Sequence, residues 1–348
     1  MRAFFGWLPG GTAIMVLITC AIFTALTGAS GVTILALGSL LYPALIKSGY
    51  SEKFSLGLVT SSGSLGLLLP PSLPLILYGI IAQQLDVGKT VTFRDLFIAG
   101  LFPAIIMILL LVAWSLWSNR RNLGRTIPFS VREAAGALKE AKWEIPLPFI
   151  VLGGIYGGFL AVSEAAVATV VYVIAIEAFL YKELNLRQLP SVIRDAMTMV
   201  GGIIIILGVS LASTNFIIDA EIPMLVFRFI QTYVTSKIAF LILLNILLLI
   251  LGAILDIFSA IVIMVPLILP AAVSYGIHPV HLGIVFLANM QIGYFTPPVG
   301  MNLFIASYRF EKPIDALYMA SIPFMIVLLL SVLMITYFPQ ISLFMVSG

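Results

Sequence analysis

Charge is what this sequence has least of: 15 acidic and 18 basic residues in 348, against 61% hydrophobic residues. Water-soluble domains carry about a quarter charged residues, so this surface is solvated mainly by lipid. Cysteine is nearly absent; Cys20 stands alone, which excludes an intrachain disulfide and a thiolate metal cage. The two histidines, His278 and His281, have the i, i+3 spacing of a metal pair, but Pro279 intervenes and no further ligand cluster lies nearby. They read as loop residues. HExxH, P-loop and GxSxG signatures are missing, so hydrolase and ATPase readings have no support and an enzyme is not expected. The net charge of +3 is spread over loops, without the basic stripe a nucleic-acid partner needs.

What the chain has instead is long charge-free stretches: 12–46, 54–85, 96–118, 196–218, 282–308 and 316–348. Each exceeds the roughly 20 residues that carry an α-helix across a bilayer. Barrel strands alternate in short segments and these runs do not, so an all-α polytopic membrane protein is expected. Arg2 followed by an apolar run and small residues near Ser30 also fits a secretory signal. A counterpart of that stretch deep inside the chain argues against the signal.

That counterpart emerges when the chain is shifted by 227 positions. Pro43 then falls on Pro270, Gly49 on Gly276, Gly66 on Gly293, Pro70 on Pro297 and Pro71 on Pro298. At a shift of 220, Asp95 and Pro103 fall on Asp315 and Pro323. Proline and glycine dictate backbone shape, so matching them in one gapless register marks an internal repeat. The organisation expected is a first repeat over 12–118, a basic loop over 119–145, scaffold helices over 146–237 and a second repeat over 238–344. Each repeat holds a re-entrant hairpin (12–46, 238–277), a helix broken at a Pro-Pro pair (52–85, 281–310) and a single crossing (96–118, 316–338). Between them lie spans at 146–160 and 165–181, around Ser163 and Glu164, and at 191–218.

Charge orients the scheme. Arg120, Arg121, Arg125, Arg132, Lys139 and Lys142 share one side with Lys182, Arg187 and Arg194. The other side receives 86–95, with balanced charge, and the acidic Asp219 and Glu221. Positive loops stay cytoplasmic, so five crossings separate the hairpins and the repeats are inverted. The first hairpin opens to the cytoplasm and the second to the outside. Three spans precede the second repeat and none the first, so further helices upstream of Met1 are expected.

The breaks carry the chemistry. Proline removes an N–H and clashes with the preceding turn, and the backbone groups it frees must find partners inside the membrane. Unwound carbonyls flanked by small hydroxyls suit Na⁺, a hard cation, and half-helix N-termini suit a substrate carboxylate. The candidates in the first repeat are Ser30, Ser61, Ser62, Gly63, Ser64, Gly66 and Ser72. In the second they are Asp256, Ser259, Asn289, Gly293, Thr296, Gly300 and Asn302. For any single glycine or serine, close helix packing is the competing explanation. Asp256, flanked by apolar residues, needs a partner, either Na⁺ or the N-terminus of the second hairpin arm. Glu164 reads as a capping residue and Glu177 as a snorkelling one.

These residues lie in stretches that resemble the large membrane subunit of TRAP (tripartite ATP-independent periplasmic) transporters: SLGLLLPPSLPLILYG at 64–79, GAILDIFSAIVIMVPLILP at 252–270 and IGYFTPPVGMNLF at 292–304. SEAAVATVVY at 163–172 and ITYFP at 335–339 also fit, so the likeness covers almost the whole chain. It implies an elevator mechanism, Na⁺ as coupling ion without another cofactor, and a bacterial inner-membrane location. It further implies a small membrane partner subunit and a periplasmic binding protein that delivers an organic acid. The ion-binding regions it implies are Gly28–Gly31 with Gly63–Pro70, and Asp256 with Gly293–Met301. Assigned to Na⁺ are Gly28, Ser30, Gly63, Ser64, Gly66, Pro70, Asp256, Gly293, Thr296, Pro297, Gly300 and Met301. Assigned to substrate are Ser61, Ser62, Ser72, Asn289 and Asn302. A transporter of dicarboxylates or other ions working without a binding protein, or a non-transporting scaffold, would reuse the same architecture.

Overall fold

The structure, a computed structural model, describes residues 2–85, 90–120, 130–185, 187–219, 234 and 236–346. Every labelled element is helical. The first repeat holds α1 (Gly11–Thr27), α2 (Ser30–Lys47), α3 (Glu52–Ser62), α4 (Leu73–Gln84) and α5 (Phe93–Ser118). Then come α6 (Val131–Glu140), α7 (Pro146–Tyr156), α8 (Val162–Ala175) and α9 (Leu189–Asp219). The second repeat holds α10 (Lys237–Ile254), α11 (Ile257–Ser274), α12 (Pro279–Gly293), α13 (Met301–Phe310) and α14 (Ile314–Tyr337). Six described helices are long and apolar enough to cross a membrane, or seven counting the bent pair Glu52–Leu68 with Leu73–Gln84 as one span.

The repeat read from proline and glycine governs the helix ends themselves. Under the shift of 227 the end of α1 at Thr27 falls on the end of α10 at Ile254. Ser30 and Lys47, which bound α2, fall on Ile257 and Ser274, which bound α11. The start of α3 at Glu52 falls on the start of α12 at Pro279. Gly49 and Gly276 follow the two hairpins with φ of 90° and 72°, a left-handed conformation that stops a helix at no steric cost only for glycine. Both interruptions occur where the proline pairs require them, between α3 and α4 and between α12 and α13. Pro70-Pro71 and Pro297-Pro298 are both cis.

The halves are inverted, and α14 demonstrates it. Lys312, just before α14, pairs with Glu52 at the start of α3 at 2.5 Å. Thr336, near the other end of α14, offers its carbonyl to His281 at the start of α12 (3.3 Å). A 24-residue helix is about 36 Å long, so α3 and α12 enter from opposite faces. The hairpins are exchanged between halves, α2 packing on α13 and α11 on α4. The second arm of each hairpin therefore lies against the broken helix of the opposite half.

The chain forms two compact units, one from residues 1–129 with 216–348 and one from 130–215. In the smaller, α7 packs on α8, Tyr172 Oη donates to the Trp143 carbonyl (2.7 Å) and Tyr181 Oη to that of Glu140 (3.0 Å). Apolar side chains such as Phe149, Val167 and Phe179 are exposed, as on helices solvated by hydrocarbon.

Three sequence readings are corrected. The basic segment 119–145 is not all loop: Ser130 caps Val131–Glu140 by accepting from Glu133 N (3.3 Å), and Ala134 on its apolar side is buried. Its charge pattern hid the helix. Arg121 and Arg125 lie outside the described residues, as does Glu221. Of the two histidines read as loop residues, only His278 lies outside a helix. His278 N-caps α12 through Nδ1, and His281 is buried inside that helix, bonded to Ser342 Oγ (2.7 Å) and the Thr336 carbonyl. Finally, the span expected at 146–160 ends at Tyr156. Glu164 caps as expected, accepting from Ala161 N at 2.9 Å.

Candidate functional site

The first hairpin turns at Gly28, whose φ of 68° and N–H to the Thr24 carbonyl (2.7 Å) end α1. Ser30 opens α2 and donates from Oγ to Asn302 Oδ1 at 2.9 Å. Asn302 sits in the first turn of α13, 272 residues away, so this bond joins the tip of one half to the broken helix of the other. Both side chains are buried.

The two interruptions also meet in the middle. Ser64 Oγ donates to the Gln291 carbonyl at 3.0 Å, with α3 and α12 arriving from opposite faces. Gly66 and Gly293 are close-approach points: a Cβ on Gly66 would lie 2.2 Å from the Ala21 carbonyl oxygen, and one on Gly293 2.5 Å from the Gly252 backbone. For these two the packing explanation is satisfied by the geometry, and what each can still offer a ligand is its backbone. Ser61 and Ser62 bond back to carbonyls of their own helix, Gly57 (2.8 Å) and Val59 (3.2 Å). Ser72 Oγ donates to the Leu67 carbonyl (2.5 Å), closing the break before α4.

The second tip is built differently. Asp256 N-caps α11: Oδ1 accepts from Phe258 N and Ser259 N, each at 3.0 Å, and Oδ2 from Ser259 Oγ at 2.5 Å. Tyr294 Oη takes the remaining first-turn donor, Ile257 N, at 2.7 Å. Capping, one of the two partners considered for Asp256, is thus in place. Gly300, with φ of 56°, donates its N–H to Ala253 O at 2.9 Å and clasps the tip to the second break. Thr296 Oγ1 bonds back to Ile292 O (2.8 Å), Tyr318 Oη reaches the Pro298 carbonyl, and Met301 is exposed.

The tips therefore differ in polarity. Ala29, in the register position of Asp256, has no side-chain cap to give. Among the described residues none accepts from the N–H groups of Ser30, Gly31 or Val32. Such a helix end carries partial positive charge and suits an anion. Asn302 Nδ2 adds a second buried donor, without a partner among the described residues.

Not every candidate joins this site. Asn289 donates to Asn245 Oδ1 (2.6 Å) and Val285 O (2.8 Å) instead of joining Asn302, and Thr336 Oγ1 also reaches Asn245 (3.2 Å). Sequence reasoning missed Thr24, Thr33, Gln291 and Tyr294, which make the contacts between segments. Only their burial in the folded chain distinguishes them. The described residues hold no cluster of three or more His, Cys, Asp or Glu fit for a metal ion.

Residues 1–341 match the family described as tripartite ATP-independent periplasmic transporter, DctM component. The C4-dicarboxylate TRAP transporter large permease protein DctM of Rhodobacter capsulatus is 35% identical, the match covering 98% of this chain and 79% of that protein. The isethionate TRAP transporter permease protein DctMQ of Oleidesulfovibrio alaskensis is also 35% identical, over 97% of this chain but 53% of its own length. The chain thus spans about half of that relative. Among solved structures, the YdaH transporter of Alcanivorax borkumensis shares the fold with a TM-score of 0.59 at 14% identity, over 97% of this chain and 86% of that one.

Proposed function

We propose that this chain, which belongs to the DctM component family of tripartite ATP-independent periplasmic (TRAP) transporters, imports a small organic acid across the bacterial inner membrane. It acts with a small membrane subunit and a periplasmic protein that delivers the acid. Relatives are named for C4-dicarboxylates, isethionate, ectoine and sialic acid, so the acid itself is open.

One observation carries this reading: a helix N-terminus at the first hairpin that no described residue caps, bonded through Ser30 to a buried asparagine whose Nδ2 has no partner among the described residues. Together they present N–H groups, and no buried carboxylate, to an incoming anion. The substrate acid group meets the N–H groups of Ser30, Gly31 and Val32 and the Asn302 amide. The second tip, closed by Asp256 and Tyr294, leaves the acid no equivalent end.

Na⁺ couples the import in this reading. The oxygens available to it are the carbonyls of the two breaks, around Gly63–Pro70 and Gly293–Met301, with the Asp256 carboxylate beside the second. Hairpins and broken helices of the two repeats form the moving body and the remaining spans the scaffold. The broken-helix arms begin at opposite faces and end on one buried centre, an arrangement suited to carrying a site across the membrane as a unit.

The test is uptake in proteoliposomes holding the chain, its small subunit and the binding protein loaded with a labelled acid. Uptake should need the binding protein and an inward Na⁺ gradient. Uptake at the same rate with K⁺ in place of Na⁺ would remove the coupling; binding without uptake would remove the transport reading.

A further inference from the structure

Thr24 lies one turn before the first hairpin tip and Thr33 one turn after it; both are buried, at 0% and 1% exposure. Their hydroxyl oxygens are 2.6 Å apart, and Thr24 Oγ1 is 2.8 Å from the Gly63 carbonyl oxygen. A carbonyl only accepts, so the Thr24 hydroxyl proton goes to Gly63, and the Thr33 hydroxyl, whose other acceptor is the more distant Ala29 carbonyl at 3.4 Å, donates to Thr24. The relay runs in one direction and ties both arms of the hairpin to the residue where α3 ends.

The attachment point is itself confined. A Cβ on Gly63 would sit 2.7 Å from Ile34 Cγ1 and 3.3 Å from the Ser30 carbonyl oxygen. The second hairpin has no such relay, because Leu251 and Ala260 occupy the register positions of Thr24 and Thr33. Its tip is held instead by backbone, from Gly300 N–H to Ala253 O. A valine would fill the Thr24 site equally well in shape, so what threonine supplies there is the hydrogen bond.

We propose that Thr24 is a positioning residue of the first tip, holding the hairpin against Gly63 so that Ser30 and the open end of α2 keep their place beside Asn302. The proposal rests on the transport reading for its effect on uptake, and on geometry alone for its effect on the hairpin. Cys20, one turn earlier on α1 and 1% exposed, is a natural reporter of the second.

The experiment takes the chain with its small subunit in membrane vesicles and measures Cys20 labelling by a permeant maleimide. Thr24→Val should raise the labelling rate about tenfold, the effect of leaving one buried acceptor unmatched, while Thr24→Ser keeps it at the parent rate. In reconstituted uptake Thr24→Val should raise the concentration of acid-loaded binding protein for half-maximal rate more than it lowers the maximal rate, and Thr24→Ser should restore both. If Thr24→Val does not reach the membrane, Thr33→Val, which removes one of the two bonds, gives the same comparison with a smaller rise. An unchanged labelling rate in Thr24→Val, or a Thr24→Ser that behaves like it, overturns the proposal. Faster labelling with Na⁺-independent uptake in the parent would keep the relay and sink the Na⁺ reading.

Discussion

Ser64 hydrogen-bonds to Gln291, and the two residues are equivalents of one another, 227 positions apart in a repeat of 227. Related residues that touch must straddle the pseudo-two-fold axis. The bond therefore marks where the inverted halves cross, between the ends of their first broken-helix arms. Removing it leaves the Gln291 carbonyl without its side-chain donor. Ser64→Ala should cost about 0.5–1.5 kcal/mol, measured as a lowered unfolding midpoint in detergent. A midpoint equal to the parent would mean the halves are held at the axis by packing alone.

Gly66 and Gly293 lie against neighbouring backbone, which an added Cβ would approach to 2.2 and 2.5 Å. Gly66→Ala and Gly293→Ala should each destabilise by about 1–3 kcal/mol, as overpacking does. Gly136, on the exposed side of α6, has nothing within 4 Å of an added Cβ. Gly136→Ala should stabilise α6 by up to about 1 kcal/mol through helix propensity. Thermal unfolding of the three variants separates close approach from mere glycine content.

Asp256 invites a paired substitution. Asparagine keeps an acceptor for Phe258 N and Ser259 N, whereas alanine does not. Asp256→Ala should lose about 0.5–2 kcal/mol of stability, and Asp256→Asn far less. If the carboxylate also serves Na⁺, Asp256→Asn weakens the Na⁺ dependence of uptake while the fold survives. Unchanged dependence in a stable Asp256→Asn protein would confine the residue to capping.

Asn302→Ala removes the free amide donor and the acceptor for Ser30 together. Apparent affinity for the delivered acid should fall about tenfold or more, the cost of one charge-assisted bond, with lesser change in Asn289→Ala. Equal losses in both variants would argue against placing the acid at the first tip.

Much of this architecture was legible in the sequence because proline and glycine act locally. Pro70-Pro71 and Pro297-Pro298 had to break their helices, and Gly28 had to permit a turn, whatever surrounded them. Charge gave the inversion, since Arg and Lys fix which loops stay inside. Contacts between segments were not legible. Thr24 finds Gly63 across 39 residues, and Ser30 finds Asn302 across 272. Nothing in the local pattern of a threonine on an apolar helix says which carbonyl it will meet. His281 was misread for the same reason: its partners Ser342 and Thr336 lie 61 and 55 residues downstream. The α6 helix was missed because the arginines and lysines of 119–145 read as a basic loop, although Ser130 and Glu133 form a good start signal.

The agreement of helix ends between the halves has a bearing on how this chain can change length. One residue added within α2 would turn everything after it by about 100° around the helix and advance it by about 1.5 Å. Its partner half would stay where it was, and Ser64 would no longer face Gln291. Insertions can be absorbed in the connections between helices, but one within α2 or α3 would be matched only by a like change in the other copy.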